Sequence, residues 1–259
     1  MQILEELFRH PLILLAVVFV LMSASTWIGV ALLTRLKEQV AELHDDVRIV
    51  EGATLTLLAL IIGFSFSMAV GRYDQRKNLE EAEANAIGTE YVRADLLPAE
   101  NAAQVKALLV KYLDLRIRFY ACRDEGQLGE VDAETAKLQD QLWASIRAPA
   151  AARPDPVMAL VVSGMNDVLN SQSYTQAAWL NQIPIAAWVM MLAIALGSTL
   201  LVGVGAKSAK SLSRVLLILP LMLSVAFFLI ADIDSPRRGM ICVTPQNLLL
   251  LSDSLRKSH

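Results

Sequence analysis

Cysteine is almost missing: two residues in 259, Cys122 and Cys242, stand far apart with no CxxC and no neighbouring histidine. That excludes a disulfide framework and a zinc knuckle and leaves two reduced, structural thiols. Histidine is nearly as scarce, at three. There are no paired histidines, no glycine-rich phosphate loop and no Ser or Cys beside a base, so neither an enzyme nor a cofactor is expected. His44-Asp45-Asp46 offers one imidazole and two carboxylates on one short stretch, too few convergent ligands for a metal. A strong excess of either charge is absent too: a net charge of −3 at pH 7 sets up no basic field to attract nucleic acid. The most informative absence is local. Residues 11–33, 52–71, 183–205 and 215–231 contain no Asp, Glu, His, Lys or Arg. Ionisable groups at membrane depth mark proton and ion relays, so their lack argues against a proton-coupled transporter.

What these four runs do contain is apolar length. Each is long enough to cross a hydrocarbon layer of roughly 30 Å as a helix. With 55% hydrophobic and 19% charged residues, the chain is too apolar for an ordinary soluble domain and too charged to lie in lipid throughout. The first run is read as a retained helix rather than a cleaved leader, because Glu5 and Glu6 spoil a basic start and the apolar stretch continues past Ser23-Ala24-Ser25. The expected class is all-α: four transmembrane helices, with an α-helical extramembrane domain inserted between the second and third. The divisions are 1–71 for the first two crossings and their charged connection (34–51), 72–182 for the extramembrane domain, 183–231 for the last two crossings, joined by a basic connection (206–214), and 232–259 for the tail. Trp27, Tyr73, Trp179 and Trp188 fall near predicted helix ends, where amphipathic rings suit the membrane interface. Pro220 lies inside the fourth run, where neighbouring helices can satisfy a freed carbonyl.

Within 72–182 the pattern is helical throughout. A first segment, 80–97, is rich in Ala and Glu and stops at Pro98. A second, 102–123, repeats apolar residues at Val105, Leu108, Leu109, Tyr112, Leu115 and Phe119 and is broken by Gly126 and Gly129. A third spans 132–147, a turn-rich linker spans 149–156, and 157–180 leads helically into the third crossing. Glu80, Glu81, Glu83 and Glu90 read as an acidic face, wet or paired with Arg93.

The second run carries two adjacent stripes. Ala59, Gly63, Ser67 and Gly71 recur every fourth residue and offer a close-packing face. Beside them run Thr56, Leu60, Phe64, Met68 and Arg72. Two readings stand open: plain helix packing with Arg72 reaching to the interface, or a face toward an axial pathway, with apolar rings forming the constriction and Arg72 drawing anions to its mouth.

The string Gly63-Phe64-Ser65-Phe66-Ser67-Met68-Ala69-Val70-Gly71-Arg72-Tyr73 resembles the neck helix of bestrophins, where a Gly-Phe pair is followed at the same distance by Arg and an aromatic. Counting back from Arg72 places Thr56, Leu60 and Phe64 on the neck positions. The chain departs where Asp74-Gln75-Arg76-Lys77-Asn78 is one residue shorter than the bestrophin string and where Thr56 replaces a usual apolar residue. Asp232-Ile233-Asp234-Ser235-Pro236, with Gly239 beyond, is similar to the short acidic and Pro-Gly segments late in bestrophins, with Arg237 where Phe is expected. Glu42-Leu43-His44-Asp45-Asp46 and the order of elements extend the likeness to the bacterial bestrophin-like membrane family over most of the chain. The resemblance implies a multi-pass protein of the bacterial inner (plasma) membrane, in contact with the lipid bilayer. It also implies a homo-oligomer such as a pentamer, passing anions such as chloride along an axis lined by the second run. It does not imply calcium gating, since no acidic cluster matches the bestrophin clasp. Arg72 and Arg76 are expected to pair at the interface with Asp232 and Asp234. The competing reading is a membrane-anchored interaction or sensing protein with no pore.

Overall fold

The computed structural model describes residues 11–35, 44–206, 216–237 and 239–257. Among these there is no strand. Eight α-helices follow in order: α1 (Pro11–Arg35), α2 (His44–Arg93), α3 (Ala99–Ala121), α4 (Glu125–Ala152), α5 (Pro156–Leu180), α6 (Ile185–Val204), α7 (Ile218–Asp234) and α8 (Gln246–Lys257), with a short 3-10 turn, Ala94–Leu96, after α2.

The largest departure from the sequence reading is α2. It starts eight residues before the apolar run, with Asp45 and Asp46 in its first turn, where negative charge suits the helix dipole. It then runs through Gly71 and the charged string to Arg93, because Gln, Arg, Lys, Leu, Glu and Ala are all good helix formers. Leu97 turns extended (φ −81°, ψ 161°) ahead of Pro98, the conformation a following proline imposes. The break after α3 falls at 122–124 rather than at the glycines. Asp124 accepts from the Gly126 amide and caps α4, so Gly126 and Gly129 lie inside that helix. Pro149 is also inside α4, which shrinks the linker to 153–155. Asp155 then caps α5, accepting from the Met158 amide at 2.8 Å with Pro156 in the first turn. Helix α5 does not pass into the third crossing; residues 181–184 interrupt it. Pro220 lies in the first turn of α7, where a missing amide costs little. Residues 36–43 and 207–215 lie outside the described residues, and with them part of the first connection, most of the second, Glu42, Leu43 and the start of the fourth run.

The chain divides into two compact units. One comprises Met1–Gly71 and Gln182–Cys242. In it α1 packs on α6 and α7, and the α1–α6 contact is a glycine crossing. A Cβ added at Gly29 would collide with the Leu200 carbonyl and Gly203, and one at Gly203 with the Thr26 carbonyl and Gly29. Ser25 donates across the same crossing to the Leu196 carbonyl at 2.8 Å. Trp188 is buried and packs on Phe227 with ring centroids 6.2 Å apart.

The other unit comprises Arg72–Asn181 and Val243–His259, so the predicted tail is shared between the two. Its core holds Ile87 of α2, Val105, Leu109 and Tyr112 of α3, Leu142 of α4, Val161, Met165 and Val168 of α5, and Leu248 of α8. Trp179, expected at a membrane interface, is buried here instead, edge-on to Phe119 and Tyr120 at 5.2 and 5.4 Å.

Among the described residues, three stretches are long and apolar enough to cross a membrane: Pro11–Leu32, Asp45–Leu96 and Pro156–Val204. The last two exceed the ~20 residues a bilayer needs; within them 52–71 of α2 and the whole of α6, 185–204, carry no charge. Helix α7 adds 17 residues, uncharged from Ile218 to Ala231.

Candidate functional site

Over its apolar portion α2 is two-faced. Leu58, Ser65 and Ala69 are buried, whereas Leu60 is 53% and Phe64 65% exposed. Thr56 is exposed as well, its hydroxyl donating back to the Gly52 carbonyl at 2.8 Å. The three proposed neck residues thus share a face that their own chain leaves uncovered. The small-residue stripe Ala59, Gly63, Ser67 and Gly71 is exposed beside it, and a Cβ at Gly63 or Gly71 would meet nothing within 4 Å. Inside the chain the close approach is made by Gly29 and Gly203, which the sequence reading did not single out. Arg72, half-buried, follows directly on the apolar portion.

Three of the four charges expected to pair, Arg76, Asp232 and Asp234, are tied to backbone. Arg76 is 1% exposed and donates to the Ala178 and Asn181 carbonyls at 3.2 and 3.1 Å, closing the C-terminus of α5 with a cation as the helix dipole favours. Asp232 accepts from the Met240 and Ile241 amides at 2.7 and 2.9 Å. The returning loop passes so near that a side chain at Gly239 would strike the Asp232 carbonyl. Asp234 accepts from the Ile183 amide at 2.8 Å.

The acidic face of α2 is the main correction to the sequence reading. Glu80, Glu83 and Glu90 are not wet but buried, at 1% exposure or less; Glu81 alone of the four is exposed. Glu80 accepts from the Asn247 side chain at 2.6 Å and the Leu248 amide at 2.9 Å, holding the N-terminus of α8. Glu83 pairs with Arg116 of α3 and accepts from Tyr120 at 3.3 Å and Thr175 at 3.2 Å. Burial disfavours the Arg116 cation, yet the Glu83 carboxylate beside it keeps its pKa above the usual value. Burial, then Glu83, likewise push up the Tyr120 and Tyr112 hydroxyls. The Arg116 guanidinium also stacks over Phe119 at 4.3 Å.

This geometry sets the comparisons with known proteins in place. The model of the Bestrophin-like domain matches residues 16–248. The chain belongs to the bestrophin-like family. A bacterial bestrophin homologue from Klebsiella pneumoniae has the same fold: one mutant form aligns with a TM-score of 0.67 at 12% identity, over 94% of this chain and 98% of its own. A second mutant form gives 0.64 at 15% identity over 91% and 98%, and a further structure of that homologue gives 0.65 at 14% over 92% and 98%. No curated protein matches. Membership, with three stretches able to cross a bilayer, makes this bestrophin-like chain a membrane protein.

Proposed function

We propose that this bestrophin-like chain is one subunit of a homo-oligomeric anion channel, a pentamer in form, that crosses the bacterial inner membrane four times per subunit. Thr56, Leu60 and Phe64 form its apolar neck, and Arg72 raises the local concentration of anions such as chloride at the mouth. The observation that supports this reading is Phe64, an aromatic ring 65% exposed on an apolar helix face that its own subunit does not cover. Copies of α2 around an axis would bring these faces together, with Ala59, Gly63, Ser67 and Gly71 as the close-packing stripe between them. Narrow apolar rings gate by excluding water, so shortening them opens the path. Leu60→Ala/Phe64→Ala protein in planar bilayers is expected to conduct at least several-fold more chloride current than the parent. Near-zero current from both, or a monomeric mass in detergent, would overturn the reading and favour a pore-free anchor. We further propose that Arg72 and Arg76 lie within the field of Asp232 and Asp234 at the lipid boundary, where an ion pair is less screened than at an open surface.

A further inference from the structure

Along the seam between α2 and α5, each buried charge but one is engaged. Arg76 is satisfied by two carbonyls, and Glu83 by Arg116, Tyr120 and Thr175. Glu80, on the same helix, is held by α8. Glu90 is the exception: it is fully buried, and neither carboxyl oxygen has a hydrogen-bond partner. Its floor is Gly164 of α5, where a Cβ would collide with the Glu90 Oε2 and Arg93 guanidinium atoms. Arg93, half-buried on the same helix, sends its guanidinium to the Leu160 carbonyl at 3.4 Å. Leu160, Gly164 and Asp167 recur at helical spacing on one face of α5, so the exposed Asp167 adds a second negative charge near the site. From α3, Lys106 is held by Asp95 at 2.6 Å and lies over the Tyr91 ring. An ionised carboxylate enclosed with no donor is far more costly than the same group carrying a proton.

We infer that Glu90 is a buried proton-binding site, neutral while α5 is seated on α2 and ionised only as that seam loosens. Burial raises its pKa, Arg93 pulls it back and Asp167 pushes it up, leaving it at about 8 against an ordinary 4.5. The folded state therefore keeps a proton that the unfolded chain releases above pH 4.5. The seam is at full strength below that pH, weakens as pH rises through about 8 and levels off beyond it. This inference is independent of the channel reading.

The test uses full-length protein in detergent, followed from about pH 5 to about pH 9.5 by thermal unfolding and by the infrared carbonyl band of a protonated carboxylic acid. Glu90→Gln keeps the shape without the titration. It is expected to remove the infrared transition and flatten the fall in Tm that otherwise runs up to about pH 8. Arg93→Gln is expected to move the transition up, and Asp167→Asn to move it down, each by ~0.5–1 pH unit. A pH profile unchanged in Glu90→Gln would overturn the inference. Should that variant not fold, the two neighbouring substitutions decide: opposite shifts support the site, and no shift or shifts in one direction overturn it.

Discussion

Arg116→Met tests how the helical unit is held. The substitution keeps the length and apolar stem of the side chain but removes the cation from beside Glu83, where both partners have no exposed surface. Glu83 would keep its bonds from Tyr120 and Thr175, yet its charge would stand uncompensated. Breaking one side of such a pair costs ~3–5 kcal/mol, and the contact over Phe119 goes with it. For a domain of this size that loss lowers Tm by roughly 10–20 °C. The control is Glu83→Leu with Arg116→Met. Because the pair must also repay its own desolvation, replacing both members by apolar groups is expected to recover most of the loss. The measurement is helical content by circular dichroism against temperature in detergent, at a pH where carboxylates are ionised. A fall under ~3 °C in the single variant would show that the charge is solvated or otherwise paired. A double variant as unstable as the sum of the two singles would show that packing, not charge, is what each residue contributes.

Two further predictions concern the other unit and its charges. Gly203→Ala places a methyl against the Thr26 carbonyl of α1; with backbone on both sides it is expected to cost more than the ~1–3 kcal/mol of ordinary overpacking, read as a lower melting temperature. Gly52→Ala, where a Cβ meets nothing, is the control and should be neutral or slightly stabilising; equal effects would refute the crossing. Asp234→Lys removes the acceptor of the Ile183 amide and should lower the yield of assembled protein. If Arg72 shares its field, adding Arg72→Glu restores part of that yield, measured by size-exclusion chromatography, whereas two independent losses would sink the pairing.

The apolar helices were legible because length and missing charge are properties of a segment alone. The end of α2 was not, since Gly71 and the charged string look like a terminus although every residue from Gln75 to Glu83 tolerates a helix. The buried acids were misread for a similar reason. Their partners are remote, Glu83 lying 33 residues from Arg116 and 92 from Thr175, so no local pattern joins them. A signal was nonetheless present. Arg116 sits between Tyr112 and Phe119 on the apolar stripe of α3, and Glu80, Glu83 and Glu90 share the spacing of Ile87 and Ala94 on α2. A charge on a core stripe asks for a buried partner, and opposite charges on two such stripes point to each other. Phe64 was placed by counting along a motif, and which face of its helix the chain covers needed the structure.

Leu248 has a consequence for synthesis. It is a core residue of a unit that begins at Arg72, and the ribosome reaches it only after making α6 and α7. Until then Glu80 lacks the amide it receives from α8, and Ile87 lacks part of its apolar cover. The nascent unit therefore waits, open along one side, while α6 and α7 are made. A message cut short before Val243 would yield a product that exposes a raw apolar flank, a ready mark for quality-control proteases.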